Sequence, residues 1–146
     1  MNKKGFTLIE LLAVIVILAV IALIVTPIVT GIISQAKESA NARSVEGHVK
    51  NMEYAMLEAA FKDGSGNTSA FNGTGKDYAT LTGEFPTGVA IPSNDHIICD
   101  TYDVVEGTVT AARGCYDRGT DGQTDQWGGK VYNFSQGQNA TLSASN

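Results

Sequence analysis

The pattern of apolar and polar positions separates a long hydrophobic stretch from the rest of the chain. Between Phe6 and Ile33 the only ionisable side chain is Glu10. As a straight helix these 28 residues would extend about 42 Å, which exceeds the roughly 30 Å of a bilayer's hydrocarbon core. Residues 6–33 are therefore predicted to form a membrane-crossing helix.

Residues 34–62 have the spacing of an amphipathic helix. Apolar side chains recur at intervals of three and four positions, which favours packing of one helix face against a globular head. His48 lies in the same stretch, and we interpret it as an ordinary polar-face residue rather than a catalytic group. The apolar stripe consists of Val45, Val49, Met52, Met56 and Ala60.

After residue 62 the helical period ends. Glycines and small polar residues between Asp63 and Lys76 predict a long exposed loop. Short β-type runs follow, and three or four of them would form an antiparallel sheet over the apolar stripe. The prediction is an α+β fold, with a long N-terminal helix packed on a small β-rich head at residues 63–146. The predicted strands are Thr87–Ile91, His96–Cys99, Tyr102–Val105, Thr108–Ala112 and Lys130–Phe134.

The two cysteines, Cys99 and Cys115, both lie in the head. Two lysines precede the apolar stretch, so that end should stay in the cytoplasm and the head should be exported. An oxidising compartment favours a disulfide between the two cysteines. Two buried free thiols are the alternative, while a zinc site that adds His48 and His96 has no compact ligand spacing to support it.

Glu10 is the feature of the apolar stretch that needs an explanation. A carboxylate inside a bilayer costs roughly 2.5–3.5 kcal/mol on insertion scales, and no basic side chain lies close to it on the apolar side of its own helix. A cut before Phe6 would create an α-amino group four residues away. If neighbouring helices are staggered, the amine of one copy can meet the carboxylate of the next, which predicts self-association.

The N-terminal sequence KKGFTLIELL resembles the type III signal sequence of type IV pilins and the related pseudopilins. The resemblance implies that a prepilin peptidase removes residues 1–5 by cutting between Gly5 and Phe6, and that Phe6 is then N-methylated with its positive charge retained. It also implies that Glu10 pairs with a neighbour's amine during assembly. The motif covers only about the first 30 residues of the chain.

Pro27 is the weak point of the predicted helix, and it falls where many of these proteins have a helix-breaking proline. It lacks an N–H and its ring clashes with the carbonyl of Leu23, at a cost of about 3 kcal/mol in a helix interior. Gly31 weakens the next turn. We predict that residues 19–27 unwind in a filament, and a simple kink is the alternative for the free subunit.

An acidic loop in the head is a candidate cation site. Asp117, Asp121 and Asp125 are spaced four residues apart with glycines between them, and oxygen-rich flexible loops of this kind can bind calcium. The spacing differs from that of an EF-hand, but the loop resembles the acidic Asp-Gly loops that bind calcium in major pseudopilins. A solvated loop rich in turn residues is the alternative.

The overall charge argues against nucleic acid as a partner. From Asp63 onward the chain has ten acids and four bases, a net charge of −6, which disfavours phosphate-backbone binding.

No nucleophile motif or phosphate-binding glycine loop is found, so we expect neither enzymatic activity nor a cofactor other than calcium.

These features predict a structural subunit of a type IV pilus-like filament. The precursor would be held in the cytoplasmic membrane and processed by the peptidase, and the assembly machinery would add it to an extracellular fibre by self-association. One alternative is a pseudopilin of a type II secretion or DNA-uptake system. The other is an exported domain on a membrane anchor. A secretory signal peptide cut near Ser34–Ala36 would instead give a mature start at Lys37.

Overall fold

The computed structural model describes residues 5–90, 96–119 and 127–143. Its contacts divide the chain into an N-terminal unit, Met1–Glu38, and a head unit, Ser39–Asn146. Helix α1 covers Leu8–Lys62 and contributes residues to both units. The long helix is therefore confirmed. It ends at Lys62 as predicted, and it begins two residues later than Phe6.

The N-terminal unit consists mainly of exposed apolar helix. Every described residue from Gly5 to Lys37 is exposed, and the most apolar stretch of α1 has a mean hydropathy of 3.3 with none of it buried in the chain. By length and composition, α1 can cross a membrane. An exposed apolar surface of this size indicates that lipid or another protein molecule buries it.

The head unit combines the end of α1 with a six-stranded antiparallel arrangement. A 3-10 turn at Thr68–Phe71 and a short helix α2, Tyr78–Gly83, connect α1 to the sheet. The strands are β1 (Gly73–Lys76), β2 (Ile97–Ile98), β3 (Thr101–Val105), β4 (Thr108–Asp117), β5 (Tyr132–Ser135) and β6 (Thr141–Leu142). Long helix plus antiparallel sheet is the predicted pilin-like α+β architecture.

Strand β4 is the centre of the sheet. The strand order is β1-β3-β4-β5-β6, and β2 pairs with the C-terminal end of β4, where Ile97 lies opposite Asp117. The β3–β4 hairpin turns on Glu106 and Gly107, at φ 50° and 76°. Positive φ at both central residues is the geometry of the two-residue turns that suit twisted hairpins.

The predicted apolar stripe of α1 faces the sheet and forms the core of the head unit. Its side chains are buried in one cluster with β3, β4 and β5, including Tyr102, Val109 and Tyr132. Burial of an apolar stripe on a sheet is what holds the last part of α1 in place, at about 25 cal/mol per Å² of apolar surface removed from water. The buried stripe residues are Val45, Val49, Met52, Met56 and Ala60.

The interpretation of His48 as a polar-face residue is wrong. His48 is 1% exposed, because it lies between Val45 and Val49 within the width of the stripe that α1 turns to the sheet. Its Nε2 lies 2.8 Å from the hydroxyl oxygen of Tyr102, and the N–H of Cys99 donates to the same hydroxyl at 3.1 Å. The first bond gives the buried ring a polar partner, and the second holds the Tyr102 hydroxyl in place.

The segment Asp63–Lys76 is more ordered than the predicted loop. The side chain of Asn67 accepts from the N–H of Ser69 at 2.8 Å, and the 3-10 turn that follows places Phe71 in the core. Strand β1 then pairs with β3 although its sequence, GTGK, has little β-propensity. Tertiary pairing therefore overrides the local preference of this segment.

The predicted strand at Thr87–Ile91 is not found in the part of this segment that the structure describes. Residues 87 and 88 form a turn and residues 89 and 90 have no regular structure, while Ile91 lies outside the described residues. Gly88 has a φ of 90°, which is unsuited to a regular strand. The Nζ of Lys62 donates to the Gly88 carbonyl, so the turn is held to the end of α1.

The predicted disulfide is present in the structure. Cys99 follows β2, Cys115 lies in β4, and the two sulfurs are bonded. Both residues are almost fully buried. The bond therefore fixes the two-residue strand β2 to the central strand.

Replacing both cysteines with serine is expected to lower the free energy of unfolding of the head by about 3 kcal/mol, because a loop of this length then regains its entropy in the unfolded chain. The measurement is thermal unfolding of the full chain in detergent micelles, followed by near-ultraviolet circular dichroism. Wild-type protein under reducing conditions is the control and should match the variant. An unchanged unfolding midpoint would contradict the prediction.

An acid-sensitive contact joins β1, β3 and β4. Asp103 accepts from Nη2 of Arg113 at 2.7 Å and from the N–H of Gly75 at 2.7 Å, and these donors hold the pKa of Asp103 below its usual range. The stabilisation is then full above about pH 4, the unfolded value, and is lost as the pH falls through the lowered folded pKa. Asp103→Asn is expected to make unfolding less steeply dependent on pH below about 4. Equal acid slopes for the two proteins would refute the assignment.

Candidate processing and assembly site

The predicted cleavage site lies in an exposed segment before the first turn of α1. Gly5, Phe6 and Thr7 belong to no helix or strand, and Phe6 is 80% exposed. A Cβ built on Gly5 would meet no atom within 4 Å. The Gly5–Phe6 bond is therefore accessible, and the chain's own packing does not require glycine there.

Thr7 and Glu10 form a reciprocal cap on the first turn of α1. The N–H of Glu10 donates to Oγ1 of Thr7 at 3.3 Å. In return, Oε2 of Glu10 accepts from the backbone N–H of Thr7 at 3.3 Å and from its hydroxyl at 3.1 Å. The carbonyl of Thr7 also accepts the first helical bond, from the N–H of Leu11 at 3.2 Å. This is a capping box with Thr7 at the N-cap and Glu10 at the third helical position.

The capping box partly answers why a carboxylate is present in the apolar stretch. A negative charge in the first turn is favoured by the helix dipole, and two donors of Thr7 replace part of its hydration. None of these partners is a cation, however. The charge of Glu10 therefore remains uncompensated within the described residues of its own chain.

Thr7 is a site residue that we did not predict from the sequence. The signal was readable, because Thr-x-x-Glu at the start of an apolar run is the sequence signature of a capping box. From the sequence, Glu10 is assigned a partner in another copy, although Thr7, three residues before it, is a nearer one.

Thr7→Val is expected to fray the first turn of α1, while Thr7→Ser should retain the cap. Losing an N-cap hydroxyl costs about 1 kcal/mol, which corresponds to roughly fivefold faster amide exchange. The measurement is hydrogen exchange at the amides of Glu10 and Leu11 in detergent micelles. Equal exchange in the valine and serine variants would show that the hydroxyl does not hold this turn.

Pro27 does not interrupt α1 in the structure. The helix continues through it, and two threonine hydroxyls bond to backbone carbonyls nearby. Thr26 donates to the carbonyl of Ala22 at 2.6 Å, and Thr30 donates to the carbonyl of Pro27 at 2.9 Å. Such bonds supply donors to backbone carbonyls around a helix proline in lipid. The unwinding of residues 19–27 in a filament stays a prediction.

The structure thus brings only part of the predicted site together. Thr7 and Glu10 are hydrogen-bonded at the start of α1, directly after Phe6. Pro27 lies 17 residues beyond Glu10, about 26 Å along the helix. The disulfide and Asp117 belong to the head unit.

The calcium prediction falls largely outside the described residues. Asp117 ends β4, and its Oδ1 accepts from the N–H of Gly119 at 2.8 Å, which is turn chemistry. Asp121 and Asp125 are not among the described residues. In residues 5–90, 96–119 and 127–143, no three His, Cys, Asp or Glu side chains are placed to hold a metal ion. Calcium binding by this loop stays a prediction.

Comparison with known protein families gives a match at the N-terminus. The family described as the prokaryotic N-terminal methylation motif matches residues 1–26, which include Gly5, Phe6 and Glu10. Neither the curated proteins nor the solved structures gave a match. The motif supports a membrane-anchored precursor that a prepilin peptidase processes. The chain thus carries the type IV prepilin signal at its N-terminus and has a pilin-like α+β fold.

Proposed function

We propose that this protein is the structural subunit of a type IV pilus-like surface filament. The observation that carries the proposal is the prepilin motif at residues 1–26 on a helix whose apolar side chains are all exposed from Leu8 to Ile33. In the membrane, lipid covers this surface. In a fibre, the helices of neighbouring copies cover it, and the heads face outward.

The first turn of α1 supplies the assembly contact in this proposal. Cleavage between Gly5 and Phe6 creates an α-amino group, and N-methylation leaves its positive charge in place. The carboxylate of Glu10 leaves the capping box and pairs with the amine of a neighbouring copy. Because lipid provides no hydrophobic drive between helices, a specific polar contact can set their axial stagger.

Helix packing would then supply most of the assembly free energy. The apolar stretch offers a continuous surface from Leu8 onward, and close packing between helices adds many small dispersion contacts. A filament subunit of this kind needs no catalytic group. The assembly machinery and the peptidase are the further partners that the proposal requires.

A pseudopilin of a type II secretion or DNA-uptake system is the second candidate. The observation that favours it is the acidic loop containing Asp117, Asp121 and Asp125, which resembles the calcium-binding loops of major pseudopilins. The two candidates share membrane insertion and processing at Gly5–Phe6. They differ in whether a long fibre leaves the cell surface.

Electron microscopy of material sheared from the cell surface tests the proposal. We expect long fibres that an antibody against the head decorates along their whole length. A strain without the prepilin peptidase is the control and should shed none. Processed protein that never leaves the envelope would favour the pseudopilin. Protein released as a soluble head, with a start at Lys37, would exclude both filament roles.

A further inference from the structure

The part of α1 in the head unit has a second patterned face besides the stripe in the core. Its positions are spaced alternately by four and three residues, which places them along one side of the helix. All six are exposed, and the buried stripe lies on the opposite side. We call this the outer face, and it consists of Arg43, Gly47, Lys50, Tyr54, Leu57 and Phe61.

The C-terminal half of the outer face is a contiguous apolar patch. Tyr54 is 70% exposed, Leu57 is 45% exposed and Phe61 is 69% exposed. They are successive neighbours on the helix surface, whereas the other large apolar side chains exposed among the described residues of the head unit, Val105 and Leu142, lie on separate strands. Single exposed apolar residues are normal, but a contiguous aromatic patch indicates a contact surface.

The N-terminal half of the outer face carries two exposed basic side chains, Arg43 and Lys50. Arg43 makes no hydrogen bond or ion pair with the described part of the chain, and the Lys50 side chain is 63% exposed although it pairs with Glu53 at 2.7 Å. A groove of about 490 Å³ borders these two cations on the side of Phe134 and the loop at 136–139. The outer face therefore presents two basic side chains beside an apolar patch.

The carboxylates that flank the outer face are engaged within the subunit. Glu46 accepts from the N–H of Ala140 at 3.0 Å, and Glu58 pairs with Lys62 at 2.9 Å. Glu53 accepts from the N–H of Val109 at 3.0 Å in addition to its pair with Lys50. Among the described residues these acids already have partners, and Arg43 is available to pair with an acid on another molecule.

We propose that the outer face is the surface on which a second copy of this chain docks through its acidic head. The inference rests on the proposed filament, in which every copy must present a patch that differs from the one it receives. Residues 63–146 have a net charge of −6, which complements the exposed cations at one end of the face. Burial of Tyr54, Leu57 and Phe61 excludes water from the contact.

Cysteine labelling of the full chain tests this contact. Tyr54→Cys and Phe61→Cys each add one free thiol, since Cys99 and Cys115 are already bonded. Maleimide labelling is compared in detergent-solubilised subunit, in subunit held in the membrane and in sheared fibres. We expect labelling in the first two states and its loss in fibres. Leu142→Cys, an exposed site outside the face, should remain labelled in all three states.

Each outcome decides the proposal. Fibres that remain labelled at both positions would overturn the docking surface and leave the filament function standing. Protection already present in the membrane-held subunit would assign the face to lipid and overturn docking of a second copy. Absence of wild-type fibres would overturn the filament function, and the docking surface with it.

A second variant is available if a cysteine on the face stops assembly. Tyr54→Phe keeps the aromatic surface, so it is expected to assemble fibres where Tyr54→Cys does not. Leu142→Cys is again the unaffected control. Failure of Tyr54→Phe to form fibres would contradict an apolar contact at this position.

Arg43→Glu should reduce fibre yield, while Arg43→Lys should preserve it.

Discussion

Glu10→Ala is expected to remove most filament assembly while membrane insertion and folding of the head remain normal. The substitution removes the one carboxylate of the apolar stretch and leaves the neighbour's amine without a partner. Removing one member of a desolvated ion pair costs about 3–5 kcal/mol, and each 1.4 kcal/mol corresponds to about tenfold in an equilibrium constant. The association constant should therefore fall by roughly a hundredfold or more, and fibre yield should fall with it.

Glu10→Gln separates the capping role that the structure shows for this residue from the pairing role that we propose for it. A glutamine at the third helical position can still accept the N–H of Thr7 in a capping box, but it carries no charge. If pairing with the amine drives assembly, the glutamine variant should assemble as poorly as the alanine variant. The measurement is the ratio of sheared to membrane-held protein by quantitative immunoblot.

Two results would count against this account of Glu10. Normal fibres from Glu10→Ala would remove the charge-pairing mechanism altogether. Normal fibres from Glu10→Gln alone would instead assign the residue to helix capping. Protease resistance of the head and formation of the Cys99–Cys115 bond serve as folding controls for both variants.

Gly5→Val is expected to block processing and therefore to stop assembly. Since a Cβ at Gly5 has no atom within 4 Å apart from its chain neighbours, the variant should fold as the wild type does, and the defect should lie in cleavage by the peptidase. The uncut protein keeps residues 1–5, so Phe6 has no free amine to meet Glu10. Intact mass of the membrane-held protein and the yield of sheared fibres measure the two effects.

Gly31→Ala is the matched control for this substitution. Gly31 also lies in the N-terminal unit, and a Cβ there likewise meets no atom within 4 Å. The control should be cut at Gly5–Phe6 like the wild type. Cleavage of Gly5→Val at the normal position, or fibres built from uncut protein, would show that the amine at Phe6 is not required.

The elements that the sequence predicts well are those with strong local signals. The uninterrupted apolar stretch and the stripe from Val45 to Ala60 predict α1 to its last residue, because both depend on periodicity along one continuous helix. The pairing of Cys99 with Cys115 follows from there being only two cysteines in a head that is predicted to be exported.

The elements that the sequence does not predict depend on contacts between distant segments. The sequence GTGK of β1 has no local reason to be a strand and becomes one through its pairing with β3. Strand β4 continues to Asp117, beyond the predicted end at Ala112, because β2 and β5 pair with its C-terminal half. From the sequence, His48 is interpreted as a polar-face residue, because its hydrogen-bond partner, the hydroxyl of Tyr102, lies on a distant segment.

In the candidate site, the sequence predicts which residues matter better than it predicts their local contacts. Gly5, Phe6 and Glu10 were identified through the motif, while the cap between Thr7 and Glu10 was not. The distinction is physical, because a motif identifies residues that other proteins recognise, whereas the cap depends on where α1 begins. A start at Leu8 makes Thr7 the N-cap residue.

The N-terminal sequence and intact mass of protein purified from sheared fibres test the central claim most directly. The account predicts a chain that starts with FTLIE, carries one methyl group on the amine of Phe6 and keeps the Cys99–Cys115 bond. A chain that retains Met1, or one that starts near Lys37, would contradict it.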